Sequence, residues 1–275
     1  MTNSINQKNK QAIKQAMILS AGKGTRMRPL TLTTPKPLID VAGQPLIVWH
    51  ILALKKAGIT DITVNCSWLA DKLIDSLGDG SQYGVRLHWS REEGEPLETA
   101  GGIAKALHDG KLKNEPFILV NGDVWTTFDF AKLVNTDFSK KSSQLADLPL
   151  AHLLLIDNPQ HNPTGDFLLA DGLAKVKAKE SETVSTDGLD KTLDGALDKR
   201  LEKTYTFAGI SVIHPQLLAG VAHDEAYPLA PLLKQAMDNQ QVTAEKIDDK
   251  WVDVGTPERL AEVNAYVLKQ LSQSQ

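Results

Sequence analysis

Four short apolar runs, at residues 16–19, 62–66, 85–89 and 117–120, alternate with helical patterns at 46–57, 69–77 and 100–108. Alternation of this kind builds a parallel sheet wound on both faces by right-handed crossovers. Pro45 suits the first turn of the first helix, and Gly58 suits its C-terminal stop. A sheet so wound binds its ligands at the carboxyl ends of the strands. Whatever follows an apolar run therefore lands on the functional edge. Two segments stand out there: the loop after 16–19 and the Asn121-Gly122-Asp123 turn after 117–120.

The first loop reads Gly22-Lys23-Gly24-Thr25-Arg26, and Lys36 follows between Pro35 and Pro37. A buried strand emptying into a glycine-rich, cationic loop is a place to hold a polyphosphate. Glycines let backbone N–H groups approach phosphate oxygens, and the side chains supply charge. A lysine flanked by two prolines has little backbone freedom, so its ammonium is aimed at small entropic cost. The loop is not a P-loop, and it is not the dinucleotide fingerprint, because Met27 stands where the third glycine belongs. Two aspartates stand out by context: Asp123 in FILVNGDVW, and Asp253 in WVDVGTPERL. An aspartate after a strand is commonly a turn or cap residue. Asp253 is the more open to that reading, since Thr256 follows as a helix cap with Pro257 at the first helical position.

The segment KQAMILSAGKGTRMRPLTLTTPKPLIDVAGQP, residues 14–45, resembles the opening motif of the nucleotide-sugar pyrophosphorylases, the sugar-1-phosphate nucleotidyltransferases. The resemblance implies a Rossmann-like, doubly wound, mainly parallel α/β sheet of the nucleotide-diphospho-sugar transferase type, with a small sugar-binding lobe. It implies an enzyme that joins a nucleoside triphosphate to a sugar 1-phosphate and releases pyrophosphate. Carried over position by position, it assigns the nucleotide to Ala21, Gly22, Gly24, Thr25, Arg26 and Lys36, with Glu98 and Thr99 of the ETAGG segment. Glu98 stands where the family has glycine. The sugar phosphate falls to Asn121, Gly165, Asp166 and Gly209, although Gly165-Asp166-Phe167 reads equally well as a simple hairpin turn. Asp123 and Asp253 match the family's metal ligands and imply Mg²⁺. Arg26 and Lys36 take the catalytic roles, Arg26 on the departing pyrophosphate and Lys36 on the reacting phosphates.

Further likeness in EGEPLETAGGI, NGDVW, GDF, TFAGISVIHP and WVDVGTPERL implies UTP and N-acetylmuramate α-1-phosphate as substrates, in cell-wall sugar recycling. The runner-up is a glucose- or mannose-1-phosphate enzyme using UTP, dTTP or GTP. From another class, the rival is a non-catalytic nucleotide-sugar sensor. Intact Arg26, Lys36, Asp123 and Asp253 argue against the sensor.

Size and charge agree with this reading. A chain of 275 residues with 41% hydrophobic content suits one domain, expected over 14–275 behind a polar, disordered leader at 1–13. A net charge of −4 offers no basic surplus for nucleic acid. The single cysteine, Cys66, excludes an internal disulfide. No apolar run approaches the roughly 20 residues that cross a bilayer, and the leader lacks a signal peptide's apolar core. A cytoplasmic protein is expected. Further strands are expected at 151–156, 166–170 and 206–213, and a helix at 256–271. Residues 171–204, rich in Lys, Asp, Glu, Ser and Thr, are expected to form a polar insertion.

Overall fold

The structure, a computed structural model, describes residues 12–136, 148–177 and 203–273. The expected leader, but for its last two residues, and the insertion from 178 to 202 lie outside the described residues.

In chain order, β1 (Gln15–Leu19) leads through a long strap to a small hairpin, β2 (Asp40–Val41) with β3 (Gln44–Pro45). Then come α1 (Leu46–Lys56), β4 (Asp61–Cys66), α2 (Ala70–Leu77), β5 (Arg86–Arg91), α3 (Glu98–His108) and β6 (Phe117–Asn121). The second half runs β7 (Val124–Thr126), α4 (Ala131–Val134), β8 (Ala151–Ile156), β9 (Phe167–Ala170), β10 (Leu173–Val176) and β11 (Thr204–Ile213). It ends with α5 (Leu229–Asp238), β12 (Val242–Lys246), β13 (Trp251–Asp253) and α6 (Pro257–Gln273).

Nine strands form one sheet in the order β5-β4-β1-β6-β11-β8-β12-β10-β9. The four strands of the first half are parallel, as the strand–helix alternation requires. The second half adds β11 antiparallel to both β6 and β8, and β12 parallel to β8. The β9–β10 hairpin closes the far edge, and β9 also pairs with the start of β11. The polar insertion expected from residue 171 thus begins later. Its first residues make β10, because Leu173 and Ala174 bury their side chains in the core. Pro45 also differs from expectation: it pairs with Asp40 in β3 and stands just before α1, not in its first turn.

Successive side chains on a strand face opposite sides of the sheet. On one side, Ala16 and Ile18 of β1 pack with Ile47, Ile51 and Leu54 of α1 and Leu73 of α2. On the other, Met17 packs with Ile103 of α3 and Leu233 of α5. A third, smaller cluster joins Val41, Leu46, Trp125, Val252 and Val254 to Val263 and Val267 of α6. Among the described residues no helix is long and apolar enough to cross a membrane.

One irregularity in the sheet shapes its functional edge. The register of β11 on β8 shifts between Phe207 and Ser211. Gly209 sits in this bulge at φ 69°, and a Cβ there would lie 2.8 Å from Asn121 Nδ2. Beside it, Trp251 donates its indole N–H to the Ala208 carbonyl at 2.8 Å. The bulge therefore presses β11 onto the end of β6 and hands a carbonyl to β13. Gly209→Ala is expected to destabilise the protein by about 1–3 kcal/mol, from left-handed backbone strain and the lost approach to Asn121. A lower urea midpoint at unchanged slope checks this.

Candidate active site

A cleft of about 470 Å³ opens at the carboxyl ends of β1, β4, β5 and β6. One wall is the glycine-rich loop. Gly24 accepts hydrogen bonds at its carbonyl from the Met27 N–H at 2.9 Å and the Thr31 hydroxyl at 2.7 Å. The first closes 25–27 into a single 3₁₀ turn; the Leu32 N–H on the Pro29 carbonyl at 3.1 Å closes 30–32 into another, and the Thr31 hydroxyl ties the two together. Ala21, Gly22, Gly24, Thr25 and Arg26 all line the cleft, as the sequence leads one to expect.

Lys36 packs against this loop, where a Cβ on Gly24 would lie 3.2 Å from the Lys36 Cβ. The Leu38 N–H donates to the Pro35 carbonyl at 2.8 Å, so the Pro-Lys-Pro segment is a fixed turn. Its lysine is only 9% exposed and pairs with Asp123 Oδ2 at 2.8 Å. Lys23 behaves differently: it pairs with the exposed Glu95 at 2.7 Å and does not line the cleft.

The Asn121-Gly122-Asp123 turn is tied to the same strand end that feeds the loop. The Gly122 N–H donates to the Leu19 carbonyl at 2.9 Å. On the next residue, His50 Nε2 meets the Val124 carbonyl at 2.7 Å. Burial depresses the His50 pKa to about 4, so at neutral pH its ring is uncharged and Nε2 carries the donated proton. Antiparallel pairing of β13 with β7 sets Asp253 opposite Val124, and the Val254 N–H donates to the Asp123 carbonyl at 2.8 Å. The two aspartates anticipated from sequence thus stand on neighbouring ends of one ribbon.

Asp253 is itself paired. Arg259, in the first turn of α6, donates to its Oδ2 at 2.9 Å, and His161 Nε2 lies 3.8 Å from the same oxygen. Asp253 Oδ1 is buried with no hydrogen-bond partner. A Cβ on Gly255 would lie 2.8 Å from that oxygen, 2.5 Å from Arg259 Nη2 and 3.0 Å from Arg26 Nη2. Only glycine lets the carboxylate and two guanidinium groups converge there. Among the described residues no group of three or more His, Cys, Asp and Glu side chains forms a metal cage.

Glu98 and Thr99 line the wall opposite the glycine-rich loop. They are the first two residues of α3, which begins two residues before the expected start. Glu98 holds φ 59°, a left-handed conformation that favours glycine. Asn121 lines the cleft with Gly209 packed against it. Gly165, Asp166 and Gly209, expected with Asn121 on the sugar phosphate, do not line the cleft. Asp166 accepts from the Phe207 N–H at 2.8 Å and from Asn162 Nδ2 at 3.0 Å, so one oxygen latches the start of β11 and the other holds Asn162, whose Nδ2 also donates to the Thr206 hydroxyl at 3.1 Å.

Arg259, His50, Asn65 and Glu92 escaped the sequence reading. Asn65 and Glu92 follow the rule that exposed the others, since both stand at carboxyl ends of strands. Arg259 was legible only as a cation in the first turn of a helix. Arg26→Ala or Lys36→Ala is expected to weaken nucleoside triphosphate binding by about 2 kcal/mol, roughly thirtyfold in Kd, the scale of a hydrogen bond to a charged group. Lys23→Ala should stay within about twofold, as an exposed ion pair contributes little. Titration calorimetry on the three variants checks the order.

Comparison with known proteins agrees with this geometry. The nucleotidyl transferase family model matches residues 15–150. The N-acetylmuramate α-1-phosphate uridylyltransferase of Neisseria meningitidis serogroup B is 44% identical over 252 residues, covering 91% of this chain and 97% of that protein. A mannose-1-phosphate guanyltransferase of Debaryomyces hansenii is 27% identical, covering 95% of this chain and 66% of its own length. Among solved structures, HddC from Yersinia pseudotuberculosis superimposes with a TM-score of 0.66 at 20% identity, over 93% of this chain and all of that one. By this 44% identity over nearly the whole of the Neisseria protein and by the family model, the chain belongs to the nucleotidyl transferase family.

Proposed function

We propose that this protein transfers the uridylyl group of UTP to N-acetylmuramate α-1-phosphate, giving UDP-N-acetylmuramate and pyrophosphate for reuse of cell-wall sugar. The observation that carries the substrate assignment is the 44% identity to the Neisseria uridylyltransferase over 97% of its length. The convergence of Arg26, Lys36 and Asp123 on one cleft supports the reaction class.

In this reading an oxygen of the sugar phosphate attacks the α-phosphorus of UTP. A new P–O bond forms as the bond to the β-phosphate oxygen breaks, and pyrophosphate leaves with the electron pair. The nucleophile is already anionic at neutral pH, so no general base is needed. What the protein supplies is in-line positioning and charge stabilisation. Arg26, whose fork can meet two phosphate oxygens at once, holds the departing pyrophosphate. Lys36 turns from Asp123 toward the reacting phosphates.

Asp123 and Asp253 would hold Mg²⁺, and the partnerless, buried Asp253 Oδ1 fits that role. One or two carboxylates suffice for Mg²⁺ when phosphate oxygens and water complete its shell. Bound there, the ion would neutralise charge on the phosphates. Asp123→Asn and Asp253→Asn should each abolish the Mg²⁺-dependent part of UTP binding by calorimetry and most turnover, with the fold intact by circular dichroism. Wild-type UTP affinity in either variant at all Mg²⁺ concentrations would refute the assignment.

Substrate choice is tested by pyrophosphate release across a panel. UTP with N-acetylmuramate α-1-phosphate should give kcat/KM at least about tenfold above glucose or N-acetylglucosamine 1-phosphate, equivalent to ~1.4 kcal/mol. UTP should exceed dTTP, and GTP should be worst. Faster turnover of mannose 1-phosphate with GTP, or of glucose 1-phosphate with dTTP, would move the protein to that substrate class.

A further inference from the structure

Two polar side chains that line the floor of the cleft take no part in the mechanism above. Asn65 lies near the end of β4 and Glu92 just past the end of β5, and they are 2% and 3% exposed. Asn65 Oδ1 accepts the Ser20 N–H at 2.8 Å, at the start of the glycine-rich loop. Asn65 Nδ2 donates to Glu92 Oε1 at 2.7 Å. Glu92 Oε2 accepts the Leu97 N–H at 2.8 Å, at the residue before Glu98 and Thr99. Three N–H donors thus meet three acceptors in one unbroken chain from one wall of the cleft to the other.

The far wall is pinned from outside as well. The Tyr227 N–H donates to the Leu97 carbonyl at 3.0 Å, and the Tyr227 carbonyl accepts the N–H groups of Ala100 at 2.8 Å and Gly101 at 3.1 Å. The Leu97 residue is therefore held at both its N–H and its carbonyl, and the strained left-handed Glu98 follows directly. A Cβ on Gly102 would lie 2.6 Å from Glu92 Oε1, so α3 rides directly on the carboxylate. Burial pushes the Glu92 carboxyl pKa up, against the hydrogen bonds from Leu97 and Asn65. A buried carboxylate is costly, and it is retained where it completes a hydrogen-bond pattern that an apolar residue could not.

We propose that Glu92 and Asn65 are positioning residues that set the distance between the phosphate loop and the Glu98-Thr99 wall, and so control the affinity for the nucleoside triphosphate. This rests on the cleft being the nucleotide site. Both line the cleft, but both oxygens of Glu92 and Oδ1 of Asn65 are already engaged by the protein, so the role proposed for them is to hold the walls and not to bind the nucleotide.

The polarity of the chain provides the test. Glu92→Gln places an amide donor against either Asn65 Nδ2 or the Leu97 N–H. Asn65→Asp sets a second carboxylate beside Glu92. Each single change breaks one link. Together they restore every link, with only the central one reversed, at unchanged net charge: the new carboxylate at 65 accepts from Ser20 and from the new amide at 92, whose oxygen accepts from Leu97. The wild type and the three variants are compared with UTP, GTP and dTTP in Mg²⁺, with N-acetylmuramate α-1-phosphate and mannose 1-phosphate as acceptors. Each soluble single variant should raise KM for the preferred triphosphate about tenfold or more, the scale of one orphaned buried hydrogen bond. KM for the sugar phosphate should stay near the wild-type value. The double variant should return to within about threefold of wild type. If a single variant does not fold, the double variant alone decides. A folded double variant still about tenfold weaker for the triphosphate would make Glu92 or Asn65 a direct nucleotide contact and overturn the inference, as would wild-type KM in the singles. Which triphosphate the wild type prefers tests the uridylyltransferase reading separately, because the inference is read only from ratios among the four forms.

Discussion

An ammonium group nine-tenths out of water has to meet an anion, and Lys36 meets Asp123 at 2.8 Å. Much of the site is built to make that meeting inevitable. Lys36 comes from the strap after β1, and Asp123 from the turn after β6. These strands are parallel neighbours, so both segments issue from the same edge of the sheet. The Gly122 N–H on the Leu19 carbonyl then fixes the height of the turn relative to the loop. Prolines on either side of Lys36 remove the alternatives its backbone could otherwise explore. The pair joins the cationic and anionic halves of the cleft before any ligand arrives.

The same pattern recurs a short distance away, where Arg259 holds Asp253 and Arg26 stands across the bare Cα of Gly255. Asp123 and Asp253 are thus each paired with a cation, and each of these cations is of a kind that binds phosphate. Such alternation lets the site exchange internal ion pairs for contacts to a polyanion and its counter-ion without accumulating unpaired charge. Asp253 Oδ1, buried and partnerless, is the one carboxylate oxygen whose demand the protein leaves unmet among the described residues.

How much of this could be read from the sequence follows from how local each signal is. The glycine-rich loop, the Pro-Lys-Pro turn and the Asn121-Gly122-Asp123 turn each lie within one strand–loop unit, so residue type and order reveal them. The parallel half of the sheet was legible for the same reason. Gly209 could be named, but its contact with Asn121 depends on a bulge in β11 that only the pairing with β8 defines. Asp166 could be placed in a turn, yet its commitment to Phe207 and Asn162 is tertiary. Asn65 and Glu92 were passed over because a polar residue ending an apolar run looks like the strand simply stopping. Their meaning appears only when adjacent parallel strands bring them together. The start of β10 was hidden by its surroundings, since Leu173 and Ala174 are two apolar residues at the mouth of a long polar stretch.

The two aspartates are not held with equal firmness. Asp123 follows a central strand of the main sheet, buried on both faces. Asp253 ends a three-residue strand whose sole ladder partner is β7, itself three residues long. A ribbon that short does not stand alone. Its support is the third apolar cluster, in which Trp125 and Val252 pack with Val263 and Val267 of α6, and Trp125 meets Trp49 edge-on at 6.1 Å. Arg259 comes from that same helix, so α6 supplies both the packing under the ribbon and the cation on Asp253. Asp253 is therefore placed by how α6 seats on α1 and β7, together with two bonds to the ends of the main sheet, the Trp251 indole on the Ala208 carbonyl and the Val254 N–H on the Asp123 carbonyl.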